Sequence, residues 1–393
     1  MFLFIHLSWL FFGSLVLYFF PKKIKKKKKM EEWPPVTILI PCFNEENSIE
    51  LTATALQFLD YPKYEVIFVD DASTDKTPEK IEEFVKNNEN FYLLRLQENQ
   101  GKANALNIAL RFVSTPYVVV IDADTILHPS ALKALISHFT NEKIGAVTAN
   151  PIVFNRKSFL GKLQTIEFTS IIGLIKMSQR IFGRIFSVSG CAAAYRTDVL
   201  IDVGGFSPYS ATEDIDVTWK IQRLKMEVVF EPDAIVFIHA PENFKDYWNQ
   251  RKRWALGGWH LLRTHRTIFK NFKESFLWPL YIDVILSYVW SFDFVLLIIY
   301  VVLSKILNLG INISLIAWGG SFLTALGIIQ ATVASILYRK YDPKIPQYLI
   351  YAPWYFIFFF TINAFAVVRT SYKGLISPLH VVKWRSPERK INS

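Results

Sequence analysis

Residues 117–124, Tyr-Val-Val-Val-Ile-Asp-Ala-Asp, form an apolar, β-branched run that stops on two carboxylates with one small residue between them. The run is too short for a helix, so it reads as a buried strand whose C-terminal end presents Asp122 and Asp124. Left alone the two acids repel each other, and a turn or helix cap is the ordinary use of such residues. A hard cation such as Mg²⁺ binds through one or two carboxylates together with substrate phosphates, which gives the pair a purpose as metal ligands. Working outward, Val36–Ile40, Glu65–Asp70 and Tyr92–Gln97 read as strands of the same kind, with helical stretches between them. This alternation predicts an α/β domain with a mostly parallel sheet from Trp33 to about His239, and ligands at the carboxyl ends of the strands.

The chemistry-bearing residues fall at those ends. Pro41, Cys42, Phe43, Asn44, Glu45 and Glu46 follow the first strand; Asp70 and Asp71 end the second, where Ser73 or Thr74 is expected to cap the next helix. No G-x-G-x-x-G follows the first strand, which disfavours a dinucleotide ligand. Thr212, Glu213 and Asp214 are expected on a loop leading into a helix from Ile215 to Leu224, with Thr212 as cap. A carboxylate fixed at a helix start, such as Asp214, is well placed to accept a proton from an incoming hydroxyl. Gln250, Arg251, Lys252, Arg253 and Trp254 lie on an expected interfacial helix, for which a basic face resting on anionic lipid is the plainer explanation.

Of the 393 residues, 51% are hydrophobic and the net charge is +10, so apolar residues remain for lipid after a large core is filled. Seven lysines of the run Lys22–Lys29 directly follow the apolar stretch Met1–Phe20. Charge after the apolar stretch, with no small-residue cleavage site, reads as a membrane anchor over residues 1–21 rather than a cleaved signal. By the positive-inside bias the lysines stay cytosolic, and the basic excess is then explained without nucleic acid. The distant Cys42 and Cys191 match no disulfide scaffold or zinc spacing. Beyond the domain at 33–240, residues 241–275 read as interfacial helices, 276–370 as transmembrane helices, and 371–393 as a basic cytosolic tail. Apolar segments lie near 276–303, 312–338 and 347–368, with an interfacial turn expected around Trp278 and Pro279. One span before the domain and three after it would put the tail outside, against its basic charge; an extra crossing within 276–303 or a non-spanning Pro353 segment would resolve this.

An aspartate after the second strand, a D-x-D at 122–124, Glu213-Asp214 and a Q-x-x-R-W at 250–254, in that order, resemble the processive, membrane-bound family 2 glycosyltransferases. Three further strings, Gln97–Asn107 (QENQGKANALN), Gly145–Pro151 (GAVTANP) and Leu160–Phe168 (LGKLQTIEF), are similar to bacterial synthases of β-1,6-linked poly-N-acetylglucosamine in biofilm matrices. The resemblance implies a GT-A type nucleotide-sugar-binding domain joined to transmembrane helices in the bacterial inner membrane, with the catalytic domain cytosolic. It implies a UDP-N-acetylglucosamine donor, a growing polysaccharide acceptor, Mg²⁺ with Mn²⁺ as the alternative, and a small accessory membrane subunit. On this resemblance Pro41, Asn44, Glu45, Asp70 and Asp71 would hold uridine and ribose, and Lys102 would approach the nucleotide. Asp122 and Asp124 would bracket the diphosphate, with Asp124 the direct metal ligand and Asp214 the base of an inverting displacement supported by Glu213. Gln250, Arg253 and Trp254 would steady the leaving diphosphate and the acceptor end. Gly190 and Cys191 lie where the family has an acceptor-side loop, although a buried small cysteine is the commoner use of such a residue. The tail around Lys383–Arg389 would be a gating segment.

Three other readings share some of these residues. A hyaluronan or chitin type of synthase shares every motif, a non-processive transferase to a lipid acceptor shares the nucleotide half, and a noncatalytic membrane scaffold would tolerate loss of the acids.

Overall fold

The computed structural model describes residues 30, 32–181, 183–308 and 314–383. The expected anchor at 1–21, the Lys22–Lys29 run and the tail beyond Lys383 lie outside these residues. The chain opens β1 (Val36–Cys42), α1 (Ile49–Gln57), β2 (Tyr64–Asp70), α2 (Thr77–Asn87), β3 (Phe91–Arg95), α3 (Lys102–Leu110) and β4 (Tyr117–Ile121). Next come β5 (Ile126–Leu127), α4 (Ala131–Ile136), β6 (Ile144–Val153), α5 (Phe159–Glu167), a π-helix (Phe168–Leu174) and α6 (Ile175–Ile181). They are followed by β7 (Ala192–Arg196), α7 (Thr197–Asp202), α8 (Glu213–Arg223) and β8 (Glu227–Ile238). The last helices are α9 (Phe244–Thr264), α10 (Trp278–Ile306), α11 (Ser314–Tyr338) and α12 (Ala352–Leu375).

Two compact units result. One comprises described residues of 30–155, 179–240 and 378–383, and the other residues 156–178 with described residues of 241–377.

The first unit is built on an eight-stranded sheet in the order β3-β2-β1-β4-β7-β6-β8-β5. β3, β2, β1 and β4 run parallel, as alternating strands and helices require; β7 enters antiparallel between β4 and β6, and β6 pairs parallel with β8. β4 is the predicted apolar strand, buried from Val118 to Ile121, so its side chains need no polar face. The register sets Cys42 beside Asp70, and Ile121 opposite Ala192. The C-terminal ends of β1, β2 and β4 and the N-terminal end of β7 therefore share one edge, and the acids are gathered there. Below it Leu39, Val69, Leu106, Val120, Tyr195 and Val217 form a continuous buried core.

In the second unit α9 is held from two sides. Tyr288 of α10 donates its hydroxyl to the Ala255 carbonyl at 2.7 Å, and Trp259 donates its indole N–H to Val367 O of α12 at 3.2 Å. Two glycines allow this closeness: a Cβ on Gly258 would lie 1.9 Å from the Tyr288 hydroxyl, and one on Gly374 2.3 Å from Trp259 Cβ. Phe272–Ile306 and Ile345–Leu375 are long and apolar enough to cross a membrane. Instead of an interfacial turn at Trp278 and Pro279, α10 starts there, because proline in the first turn sacrifices no helical hydrogen bond. It continues unbroken to Ile306, leaving no room for an extra crossing within 276–303.

Gly258→Ala would displace the Tyr288 hydroxyl from its carbonyl partner. Overpacking of this kind costs about 1–3 kcal/mol, so thermal unfolding of the detergent-solubilised protein should show a lower Tm.

Candidate active site

At the sheet edge the loops after β1 and β2 lock into each other. Asn44 N–H donates to the Ser73 hydroxyl at 2.9 Å, Thr74 N–H to Asn44 Oδ1 at 2.8 Å, and Glu45 N–H to the Thr77 hydroxyl at 2.7 Å. Asn44 and Ala72 take left-handed backbone angles, φ 54° and 61°. Asparagine tolerates that region, whereas alanine there is strained by roughly 1–3 kcal/mol that the surrounding bonds must hold. Neither Ser73 nor Thr74 caps α2 as expected; Asp75 accepts from the Thr77 N–H at 3.0 Å, since the loop lock consumes the earlier residues. Pro41 and Glu45 are buried, and Cys42 is sealed inside, where burial pushes its thiol well up. Asp70 is also buried, accepts weakly from Ser73 N–H and lies 3.9 Å from Arg95; burial raises its carboxyl.

Asp71, expected to face the nucleotide, has a structural task. Its two oxygens accept the N–H groups of Gln100 and Gly101, each at 2.8 Å. Gly101, at φ 86°, turns the chain into α3, whose first residue is Lys102. The Lys102 ammonium then reaches Asp122 Oδ1 at 2.6 Å and Glu213 Oε1 at 2.8 Å. Burial alone would pull this ammonium down, but the Asp122 and Glu213 carboxylates outweigh it and hold it above the usual lysine range. Burial raises Asp122, with Lys102 opposing and Asp124 adding repulsion.

α8 begins at Glu213, not Ile215, so Glu213 and Asp214 occupy its first turn, where the helix dipole favours acids. Thr212 does not cap: its hydroxyl is buried with no hydrogen-bond partner among the described residues. Asp214 Oδ1 accepts its neighbour's N–H, from Ile215, at 2.9 Å, while Oδ2 points at Gly190, where a Cβ would stand 3.0 Å away. The Gly190–Cys191 loop is stitched in place: Ser189 N–H donates to Thr148, Val188 N–H to Thr218, and Asp122 N–H to Cys191 O. Lys102, Gly190, Tyr195, Glu213 and Asp214 line one small pocket. Asp124 lines another with Ser48, Leu51, Phe154 and His239.

No group of three or more His, Cys, Asp or Glu able to hold a metal occurs among the described residues. The Asp122–Asp124 pair fits a hard cation whose remaining ligands are phosphate and water oxygens.

In the other unit, Gln250, Arg253 and Trp254 all lie on α9, with Arg253 exposed and Gln250 and Trp254 half-buried. The arginine that α9 buries is Arg251, paired bidentately with Glu167. Sequence reasoning missed Glu167 and gave Arg251 no role, and it missed Tyr195 below Asp214. A carboxylate inside the apolar string LQTIEF was the available signal for Glu167.

A sequence model of Glycosyl transferase family 2 matches residues 37–204. The poly-β-1,6-N-acetyl-D-glucosamine synthase of Staphylococcus epidermidis is 35% identical over 98% of this chain and 96% of its own length. That of Staphylococcus aureus strain MSSA476 is 35% identical over 96% and 94%. A solved mannosyltransferase from Pyrobaculum calidifontis, in complex with GDP-Man and Mn²⁺, shares the fold, with a TM-score of 0.58, 21% identity, and coverage of 95% of this chain and 97% of that one.

Lys102→Met would leave Asp122 and Glu213 without their shared counter-charge. Breaking a fully buried pair costs about 3–5 kcal/mol; with Asp122 31% exposed, about 2 kcal/mol is expected, read as a lower Tm. Gly190→Ala should push the Asp214 carboxylate aside with little change in Tm.

Proposed function

The chain belongs to glycosyl transferase family 2, and on that premise we propose that it polymerises N-acetylglucosamine from UDP-N-acetylglucosamine into a β-1,6-linked polysaccharide. The observation that carries the reading is full-length similarity to synthases of that polymer, coinciding with a sheet edge where Asp122, Asp124, Glu213 and Asp214 are gathered around Lys102.

In this reading Asn44, Glu45 and Asp70, with Pro41 behind them, form the uridine and ribose end, and Asp71 shapes the loop that delivers Lys102. A divalent cation on Asp124 and Asp122 would neutralise charge on the diphosphate; the mannosyltransferase with the same fold holds Mn²⁺. Asp214 takes the proton of the acceptor's 6-hydroxyl as that oxygen bonds to the anomeric carbon from the face opposite the diphosphate. The bond from that carbon to the diphosphate oxygen breaks, and UDP leaves with the electron pair, so configuration inverts. Lys102 supplies one counter-charge shared by Glu213 and Asp122, which lessens the repulsion that Asp214 meets from them. Gln250, Arg253 and Trp254 serve the leaving group and the acceptor end, and the Gly190–Cys191 loop is read as acceptor-side. The two long apolar helices support attachment to a membrane; the bacterial inner membrane, a cytosolic catalytic unit and an accessory membrane subunit complete the reading by similarity to the family.

Proteoliposomes with Mg²⁺ or Mn²⁺ should convert radiolabelled UDP-N-acetylglucosamine into high-mass product that a β-1,6-specific hexosaminidase digests. A short lipid-linked product, or activity only with another UDP-sugar, would move the chain to a different branch of its family. Asp214→Asn should bind UDP as the wild type does while elongation falls by about 10²–10⁴. Asp124→Ala should lose the cation-dependent part of UDP binding, measured by calorimetry with and without chelator.

A further inference from the structure

Glu167 is the last residue of α5, buried at the point where the helix widens into the π-helix. Its two oxygens accept both terminal nitrogens of Arg251, which is itself completely buried. Arg251 stands between Tyr247 and Trp254 along one face of α9, at spacings of four and three residues, and its guanidinium carbon lies 4.3 Å from the Tyr247 ring centre and 4.4 Å from that of Trp254. A free arginine samples many rotamers; the bidentate fork fixes the guanidinium plane, and that plane sets the face against which the half-buried indole rests. Two apolar residues of similar volume could fill the same space without the desolvation penalty of a buried pair, so filling space does not account for the arrangement.

We propose that Glu167 and Arg251 are positioning residues that hold the indole of Trp254 in the orientation that receives the acceptor end of the polymer. The inference rests on the synthase reading for what Trp254 meets, and on this unit's own geometry for the rest. A π-helix is uncommon, and here its Ser170 carbonyl is tied to Gln330 of α11 at 3.2 Å, which fixes the segment that follows Glu167.

Full-length enzyme in proteoliposomes tests this, with elongation rate, donor KM and Tm as readouts. The apolar replacement E167M/R251M should keep the wild-type Tm and a donor KM within about two-fold, yet lose about ten-fold or more in elongation rate, because a misplaced contact costs rate rather than donor binding. Arg251→Lys, which keeps the charge but loses the fork and the plane, should fall similarly. Adding Trp254→Ala to either should lower the rate no further than Trp254→Ala alone. A folded E167M/R251M enzyme at wild-type rate, or losses that multiply with Trp254→Ala, would overturn the proposal and leave the synthase reading intact. Should the double variant not fold, Arg251→Lys decides alone, and a wild-type rate in it overturns the proposal. A wild-type chain that makes no polymer from UDP-N-acetylglucosamine sinks the synthase reading instead, and the acceptor role of Trp254 with it.

Discussion

One ammonium ties the carboxyl edge of the sheet together. Asp122 leaves the end of β4 and Glu213 opens α8, far apart in sequence, and Lys102 binds both. Without that charge the sheet would gather Asp122, Asp124, Glu213 and Asp214 into one edge with no cation shared between its carboxylates, and burial already raises Asp122. Lys102 is itself placed by a relay: Asp71 grips the N–H groups of Gln100 and Gly101, Gly101 turns the chain, and α3 starts one residue later. An aspartate at the end of the second strand thus sets the electrostatics at the end of the fourth through backbone geometry, without touching it.

Much of this was legible in the sequence because the signals are periodic or local. β1, β2, β3 and β4 appear within two residues of their expected bounds, since each is a short apolar run ending in a polar turn. What failed were assignments of caps. Ser73, Thr74 and Thr212 have the right chemistry for helix starts, but two are drawn into the loop lock and the third is buried with its hydroxyl unpaired among the described residues. Cap propensity is a local preference, and here tertiary bonds decide.

Pairs formed across long separations were not legible. Glu167 and Arg251 are 84 residues apart, and nothing in either neighbourhood marks the other. The same limit hid the grouping of residues 156–178 with the helices after 241. Those residues interrupt the α/β alternation between β6 and β7, and their apolar pattern fits a sheet-covering helix as well as one packed on α11 and α12. In the fold they pack as the latter: Leu163 and Ile166 join Ala331 and Tyr355 in one buried cluster.

The composition of α9 shows how a surface pattern and a core pattern can coincide. Lys245, Lys252, Arg253 and Arg263 give it the look of a basic helix resting on anionic lipid. A lipid-bound helix keeps its cations on the wet face, yet α9 buries Arg251 together with Gly257, Gly258, Trp259 and His260. Arginine can enter that face because Glu167 neutralises it and two aromatic rings flank it, while Gly258 lets α10 approach closely. The remaining basic residues stay more exposed, so the basic face and the packed face are different sides of one helix. What separates the two readings is therefore which cation is buried, and that depends on a partner supplied by another segment of the chain.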